Sequence, residues 1–300
     1  MQLQKEKQAV RKRTGPAMKA RIITALIMML VLAVLLMFRG IALYIALTLI
    51  TLASQYELIK AFAAKGVPPY RIPVYFSGLL CCTGVYFFGT GAGVAVMLIS
   101  IFIMVVSGLV TRENGMDKTI YSCFVVLYPA LCSLCMIALN NSEGAFEFLL
   151  CGICAAIGSD TMGFFIGSAF GKTKLSPRLS PNKTVEGAVA GLFGGILVLA
   201  LVRYLFGLVN IDASFVIFGK TFAWVVKDIA ITWPMIFGCG VIGAAVSIVG
   251  DLFASSIKRY CGIKDFSTFL PGHGGVLDRL DGIFFSCGMM YLLYYVISFF

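Results

Sequence analysis

Nine apolar runs fill most of this sequence, at 22–38, 41–59, 74–88, 92–110, 119–139, 146–170, 187–209, 234–257 and 282–300. Roughly 17–25 apolar residues are what a helix needs to cross the hydrocarbon core of a bilayer. Composition agrees: of 300 residues, 60% are apolar and 13% charged, against roughly 25% charged in soluble domains. A soluble core of this size has no room for so much apolar surface. The expected fold class is an all-α polytopic membrane protein with about nine transmembrane helices. The third run is short enough to be re-entrant. Arg39-Gly40 leads from the first run into the second with no small-residue cleavage site, so the first is expected to remain as a span.

The net charge of +10 raises nucleic acid as a partner only until the spans are drawn. With the N-terminus inside, 20 Lys and Arg fall on one side, and only Arg39, Lys220 and Lys227 on the other. Cytoplasmic loops collect such residues, so the surplus is topological and no nucleic-acid partner is expected. The expected orientation is N-terminus cytoplasmic, C-terminus outside, in the cell (plasma or inner) membrane. The chain divides into a basic tail (1–21), helices one to five (22–139) and a C-terminal region (146–300) with helices six to nine.

Polarity separates the two halves. The first five runs hold almost no ionisable residue apart from Glu57, whereas Asp160, Glu186, Arg203, Asp251, Asp278 and Asp281 interrupt or flank the later ones. Ionisable groups at membrane depth are costly and mark function by default. Several patterns there carry no chemistry. Cys132/Cys135 and Cys151/Cys154 have metal-ligand spacing but sit in apolar spans, where cysteine packs as a small hydrophobe. The stretch Gly167–Thr173 resembles a phosphate-binding loop one residue short, and it ends a helix. Gly163, Gly167 and Gly171, and Gly187, Gly191 and Gly195, form stripes that permit close helix packing. They predict that the helices flanking the 172–183 loop approach each other closely.

Three acids are the sharpest signal. Asp251, Ser255 and Lys258 follow at i, i+4 and i+7 on one helical face. Asp278 and Asp281 share a face at the start of the last span, where carboxylates are favoured. Carboxylates from two helices at one depth make a hard-oxygen site suited to Mg²⁺. Around them stand Lys258, Arg259, Lys264 and Arg279, with Gly274-Gly275 as a flexible loop. Acids, clustered cations and glycines suit a metal–polyphosphate. The segment Ser180, Pro181, Asn182, Lys183, Thr184 places a cation beside a helix N-terminus, which suits a triphosphate or base. Glu186 reads equally as part of that site or as a capping carboxylate beside Thr184. Asp160 is either a partner for a cation or a ligand deep in a polar cleft, with Arg203 as its partner only if span seven runs alongside at similar depth.

The run Ser255-Ser-Ile-Lys-Arg-Tyr-Cys-Gly-Ile-Lys-Asp-Phe-Ser-Thr-Phe-Leu-Pro-Gly-His-Gly-Gly-Val-Leu-Asp-Arg-Leu-Asp281 resembles the signature of the phosphatidate cytidylyltransferases, or CDP-diacylglycerol synthases. A second segment, Asp160 to Gly187, is similar to the same family but has Ser168 and Asn182 where many relatives carry Arg and Lys. The resemblance implies the reaction CTP + phosphatidate → CDP-diacylglycerol + diphosphate at the cytoplasmic surface. It further implies Mg²⁺ on Asp251, Asp278 and Asp281, Ser255 and Lys258 near the reacting phosphates, a homodimer, and a K⁺ ion accompanying Mg²⁺. A phosphate monoester with a second pKa of about 6 is largely ionised at neutral pH, so it attacks without a protein nucleophile. His273, the sole imidazole, then reads as a hydrogen-bond donor to phosphate or nucleotide. The alternatives are another CTP-using lipid enzyme, such as a polyprenol kinase, and a transporter. Transporters carry broken helices in paired halves, whereas polarity here is confined to one half.

Overall fold

A computed structural model of the chain describes residues 23–24, 26–111, 113–142, 144–208, 212–217, 220–225, 232–269 and 274–299. The basic tail and His273 lie outside the described residues. A short apolar helix α1 (Leu26–Phe38) precedes eight helices long and apolar enough to cross a membrane. These are α2 (Gly40–Ala64), α3 (Arg71–Phe88), α4 (Thr90–Val110), α5 (Gly115–Asn141), α6 (Phe146–Phe170), α7 (Val185–Leu208), α8 (Trp233–Tyr260) and α9 (Leu277–Ile297). The protein is a multi-pass membrane protein. Its third span is a full 18-residue helix, about 27 Å at 1.5 Å per residue.

Two loops contain short hairpins that the apolar pattern does not announce. Between α6 and α7, β1 (Lys174–Ser176) pairs antiparallel with β2 (Ser180–Thr184), with a register shift between Lys174 and Ser176. Between α7 and α8, β3 (Asp212–Ile217) pairs antiparallel with β4 (Lys220–Val225).

Helices α2–α5 form one packed group and α6–α9 another, joined where α9 lies on α5 and α2 and where α6 lies on α5. Rings from three helices fill the seam: Tyr128 of α5 meets Phe253 of α8 edge-on at 5.3 Å and Phe285 of α9 at 5.8 Å. Outward faces stay apolar, as on α4, where Leu98, Phe102 and Leu109 are exposed. That is the surface a bilayer solvates.

The glycine stripes do what their spacing predicts. A Cβ on Gly187 would stand 2.8 Å from the Gly163 carbonyl oxygen and 3.1 Å from the Gly167 Cα, so α6 and α7 touch backbone to backbone. Further along α7, Gly191 abuts Ser159 of α6, and Gly195 abuts Gly240 of α8. One stripe thus serves two neighbours, and α7 lies in the groove between α6 and α8.

Gly187→Leu is expected to destabilise the protein by at least about 1–3 kcal/mol, the cost of overpacking a tight interface. Gly238→Leu, where a Cβ meets nothing within 4 Å, is the control. Thermal unfolding in detergent compares them, and equal midpoints would contradict the tight seam.

Candidate active site

A cavity of about 940 Å³ opens among α6, the β1–β2 hairpin, α7, α8 and the start of α9. Local chemistry shapes its rim. Thr184 ends β2 and accepts the Gly187 N–H on its Oγ1 at 3.1 Å, an N-cap for α7. Its side chain fills the space beside Gly167 and Gly171. Glu186 accepts the Thr173 N–H on both oxygens, at 3.1 and 3.2 Å. Its carboxylate therefore ties the entrance of the hairpin to the first turn of α7, and it is not among the residues lining the cavity. Arg259, at the end of α8, donates to the Leu179 carbonyl at 3.3 Å and holds the hairpin turn from the other side.

Asp251 and Asp281 stand side by side across α8 and α9. Glycines next to both allow it. A Cβ on Gly250 would lie 2.7 Å from the Asp281 carbonyl oxygen, and one on Gly282 would run into Ser247 Oγ. Asp281 is 5% exposed; its Oδ1 accepts the Gly282 N–H at 2.8 Å, while its Oδ2 is buried with no hydrogen-bond partner. Lys183 of β2 reaches across the cavity to pair with Asp251.

Asp278 is used differently. Its Oδ1 pairs with Lys258 Nζ at 2.7 Å, and its Oδ2 accepts the N–H groups of Phe266 at 2.9 Å and Gly275 at 3.0 Å. Among the described residues no three His, Cys, Asp or Glu side chains converge as a metal-ligand cluster. The expected ligand trio is thus divided into a facing pair, Asp251 and Asp281, and a third carboxylate bonded to a lysine and two amides. Mg²⁺ is commonly held by one or two carboxylates together with substrate phosphates and water, and the unpartnered Asp281 Oδ2 fits that arrangement.

Half of the expected residues reach the cavity: Ser180, Lys183, Thr184, Asp251, Lys258, Asp278, Arg279 and Asp281 line it. Ser255 is half-buried on α8 outside the lining, and Pro181, Arg259 and Lys264 are exposed outside it. Gly274 takes a positive φ of 84°, and Gly275 is buried. The second glycine of the pair is fixed by Asp278 rather than loose. Asp160 faces the cavity among Asp251, Lys183 and Arg279. Arg203 is not its partner. Twelve residues beyond Gly191, about 18 Å along α7, it lies over the Trp233 ring, 5.1 Å from the centroid.

Sequence reasoning missed Lys174 and Asp265, which line the cavity, and gave no role to Ser168, which also lines it; Asn182, part of the expected 180–184 segment, lines it too. It also left Glu57 unexplained. Among the described residues five carboxylates (Asp160, Asp251, Asp265, Asp278, Asp281) and four cations (Lys174, Lys183, Lys258, Arg279) line the cavity. Formal charges leave a net deficit of one positive charge before any anion enters.

Fold and site together define a membrane-embedded protein with a charged cavity, able to take a polyanion together with a cation. A model of the cytidylyltransferase family matches residues 19–297, and the chain belongs to this family of nucleotidyltransferases. It is similar to the phosphatidate cytidylyltransferase of Mycobacterium bovis, 29% identical over 286 residues that cover 90% of this chain and 86% of that one. The phosphatidate cytidylyltransferase of Bacillus subtilis is 27% identical over 282 residues, 92% and 97% of the two chains. That of Aquifex aeolicus is 36% identical over 172 residues, and the match spans 56% of its length.

Removing Lys258 leaves Asp278, whose side chain is 4% exposed, as a buried charge without a cation. Lys258→Met is expected to destabilise by about 3 kcal/mol, at the low end for breaking a buried pair. Adding Asp278→Asn is expected to recover part of that loss in detergent melts. A double variant less stable than the single one would contradict the pairing.

Proposed function

We propose that this chain is a phosphatidate cytidylyltransferase that converts CTP and phosphatidate to CDP-diacylglycerol and diphosphate. The observation that carries the reading is the facing pair Asp251 and Asp281, with Lys183 and Lys258 beside it in a cavity among apolar helices. Family membership and the names of its relatives support the same activity.

The reaction requires positioning and charge neutralisation more than covalent help. A lipid phosphate oxygen attacks the α-phosphorus of CTP. A new P–O bond forms, and the bond to the bridging oxygen breaks, so diphosphate leaves with the electron pair. Mg²⁺ held by Asp251 and Asp281 would neutralise the triphosphate oxygens and orient the α-phosphorus. Lys183 and Lys258, each already held by a carboxylate, point donors into the cavity. The N-terminus of α9 and Arg279 add positive potential at its rim. Ser180 and Asn182 on β2 offer hydroxyl and amide groups for phosphate or base. The hydrophobic tails of phosphatidate stay in the bilayer, which explains why such a site lies within a bundle of membrane helices.

Further parts of this reading are Mg²⁺ dependence, an accompanying K⁺ ion, a homodimer, and a site on the cytoplasmic face of the cell membrane. The Lys and Arg bias of the loops supports that orientation.

Purified protein given phosphatidate and CTP labelled separately in the α- and γ-phosphates is expected to place only α-label in lipid. Transfer of γ-label would mean a kinase, and transfer of neither would overturn the reading. Asp281→Asn is expected to abolish CMP transfer with expression retained. Turnover near wild type at saturating Mg²⁺ would remove the metal role from Asp281.

A further inference from the structure

Helix α9 carries Asp278, Arg279 and Asp281 into the cavity, yet nothing in its own sequence caps it. The residues before it are Gly274, Gly275 and Val276, and no side chain of the N-cap residue Val276 bonds its first turn. The cap comes from α2, some 220 positions upstream. Glu57, 2% exposed, accepts the Val276 N–H on Oε1 at 2.8 Å and the Leu277 N–H on Oε2 at 2.9 Å. Its Oε1 also accepts the Ser267 hydroxyl at 2.6 Å. Asp278 binds the neighbouring amides, Phe266 and Gly275, from the cavity side. Adjacent residues 266/267 and 275/276 are thus shared out between two carboxylates, one in the site and one behind it.

We propose that Glu57 is a positioning residue for the reaction: it clamps the start of α9 from outside the cavity and so fixes Asp278 and Asp281 against α8. Gly275 belongs to the same device. A Cβ there would stand 2.6 Å from Glu57 Oε2, so the glycine makes room for the clamp and not for substrate. A carboxylate suits the place because it offers acceptors on both oxygens and lies at the positive end of a helix. A carboxamide turns one acceptor into a donor aimed at an N–H. The inference rests on the cytidylyltransferase reading only for its activity readout.

The test compares Glu57→Gln, Glu57→Asp, Glu57→Ala, Gly275→Ala and Glu57→Ala/Gly275→Ala in the full-length protein in detergent. Glu57→Gln is expected to remain monodisperse and to lower kcat at least tenfold, with the KM for CTP within threefold of wild type. Amide hydrogen exchange is expected to rise in peptides covering 274–281 and nowhere else. Glu57→Asp, whose charge is kept but whose reach is shorter, is expected to fall between wild type and Glu57→Gln. In the double variant the losses should not multiply, because without the Glu57 carboxylate the methyl group added at position 275 has nothing to strike. Multiplying losses would mean that Gly275 meets substrate directly, against the proposal. Wild-type kcat in Glu57→Gln, unchanged exchange at 274–281, or exchange raised throughout the protein would each overturn it. Should wild-type protein transfer no CMP, the cytidylyltransferase reading fails, while the exchange data still decide whether Glu57 holds α9.

Discussion

Two carboxyl groups forced together in an apolar chain set the terms for the rest of this structure. Asp251 and Asp281 come side by side because Gly250 and Gly282 remove the side chains that would keep α8 and α9 apart. Like charges at such separation repel strongly where water is scarce. The surrounding arrangement answers that repulsion. Lys183 arrives from a hairpin at the end of α6, and that hairpin is held in place by the α6–α7 glycine seam, the Thr184 cap, and the Glu186 and Arg259 contacts to its backbone. Features scattered over the C-terminal half thus converge on one electrostatic problem.

The N-terminal half supplies no cavity-lining residue among the described residues, but it is not mere membrane filler. α5 sets Tyr128 against Phe253 and Phe285, which keeps α8 and α9 in fixed relation. α2 lends Glu57 to the start of α9. A buried carboxylate that accepts three hydrogen bonds is well satisfied, and removing any one donor would leave acceptor capacity stranded. Contacts of this kind give a helical bundle in lipid the specificity that apolar packing against equally apolar solvent does not provide.

The fold class was largely legible because it depends on local patterns. Run lengths gave the spans, small-residue spacing gave the α6–α7 approach, and the i, i+7 relation put Asp251 and Lys258 on one cavity wall. What escaped was tertiary. Nothing within ten residues of Glu57 hints that its partners lie at 267, 276 and 277. Glu57 was nevertheless visible as an acid inside an otherwise uncharged set of spans, and such a residue implies a partner somewhere. Ser255 shares the helical face of Asp251 and Lys258, but its side chain is short and stays outside the cavity lining that the long Lys258 side chain reaches. The β1–β2 hairpin lacks apolar alternation because neither face is buried in a core, so no period of two marks it. The division of the three aspartates into a facing pair and an amide-bound third depends on rotamers, which spacing does not encode.

The pairings also bear on how an anion enters. Among the described residues one more acid than base lines the cavity, and Lys183 and Lys258 are already engaged by Asp251 and Asp278. On the proposed reading, nucleotide and divalent cation enter as one exchange. Lys183 and Lys258 would pair with phosphate and the carboxylates would hold the cation, so each charge would keep a partner of opposite sign. On that reading the cavity would favour the metal–nucleotide complex over either component by itself, since each component would bring the counter-charge that the other displaces. The same closeness that makes Asp251 and Asp281 costly to keep together would then be the source of selectivity for a polyphosphate that carries its own cation.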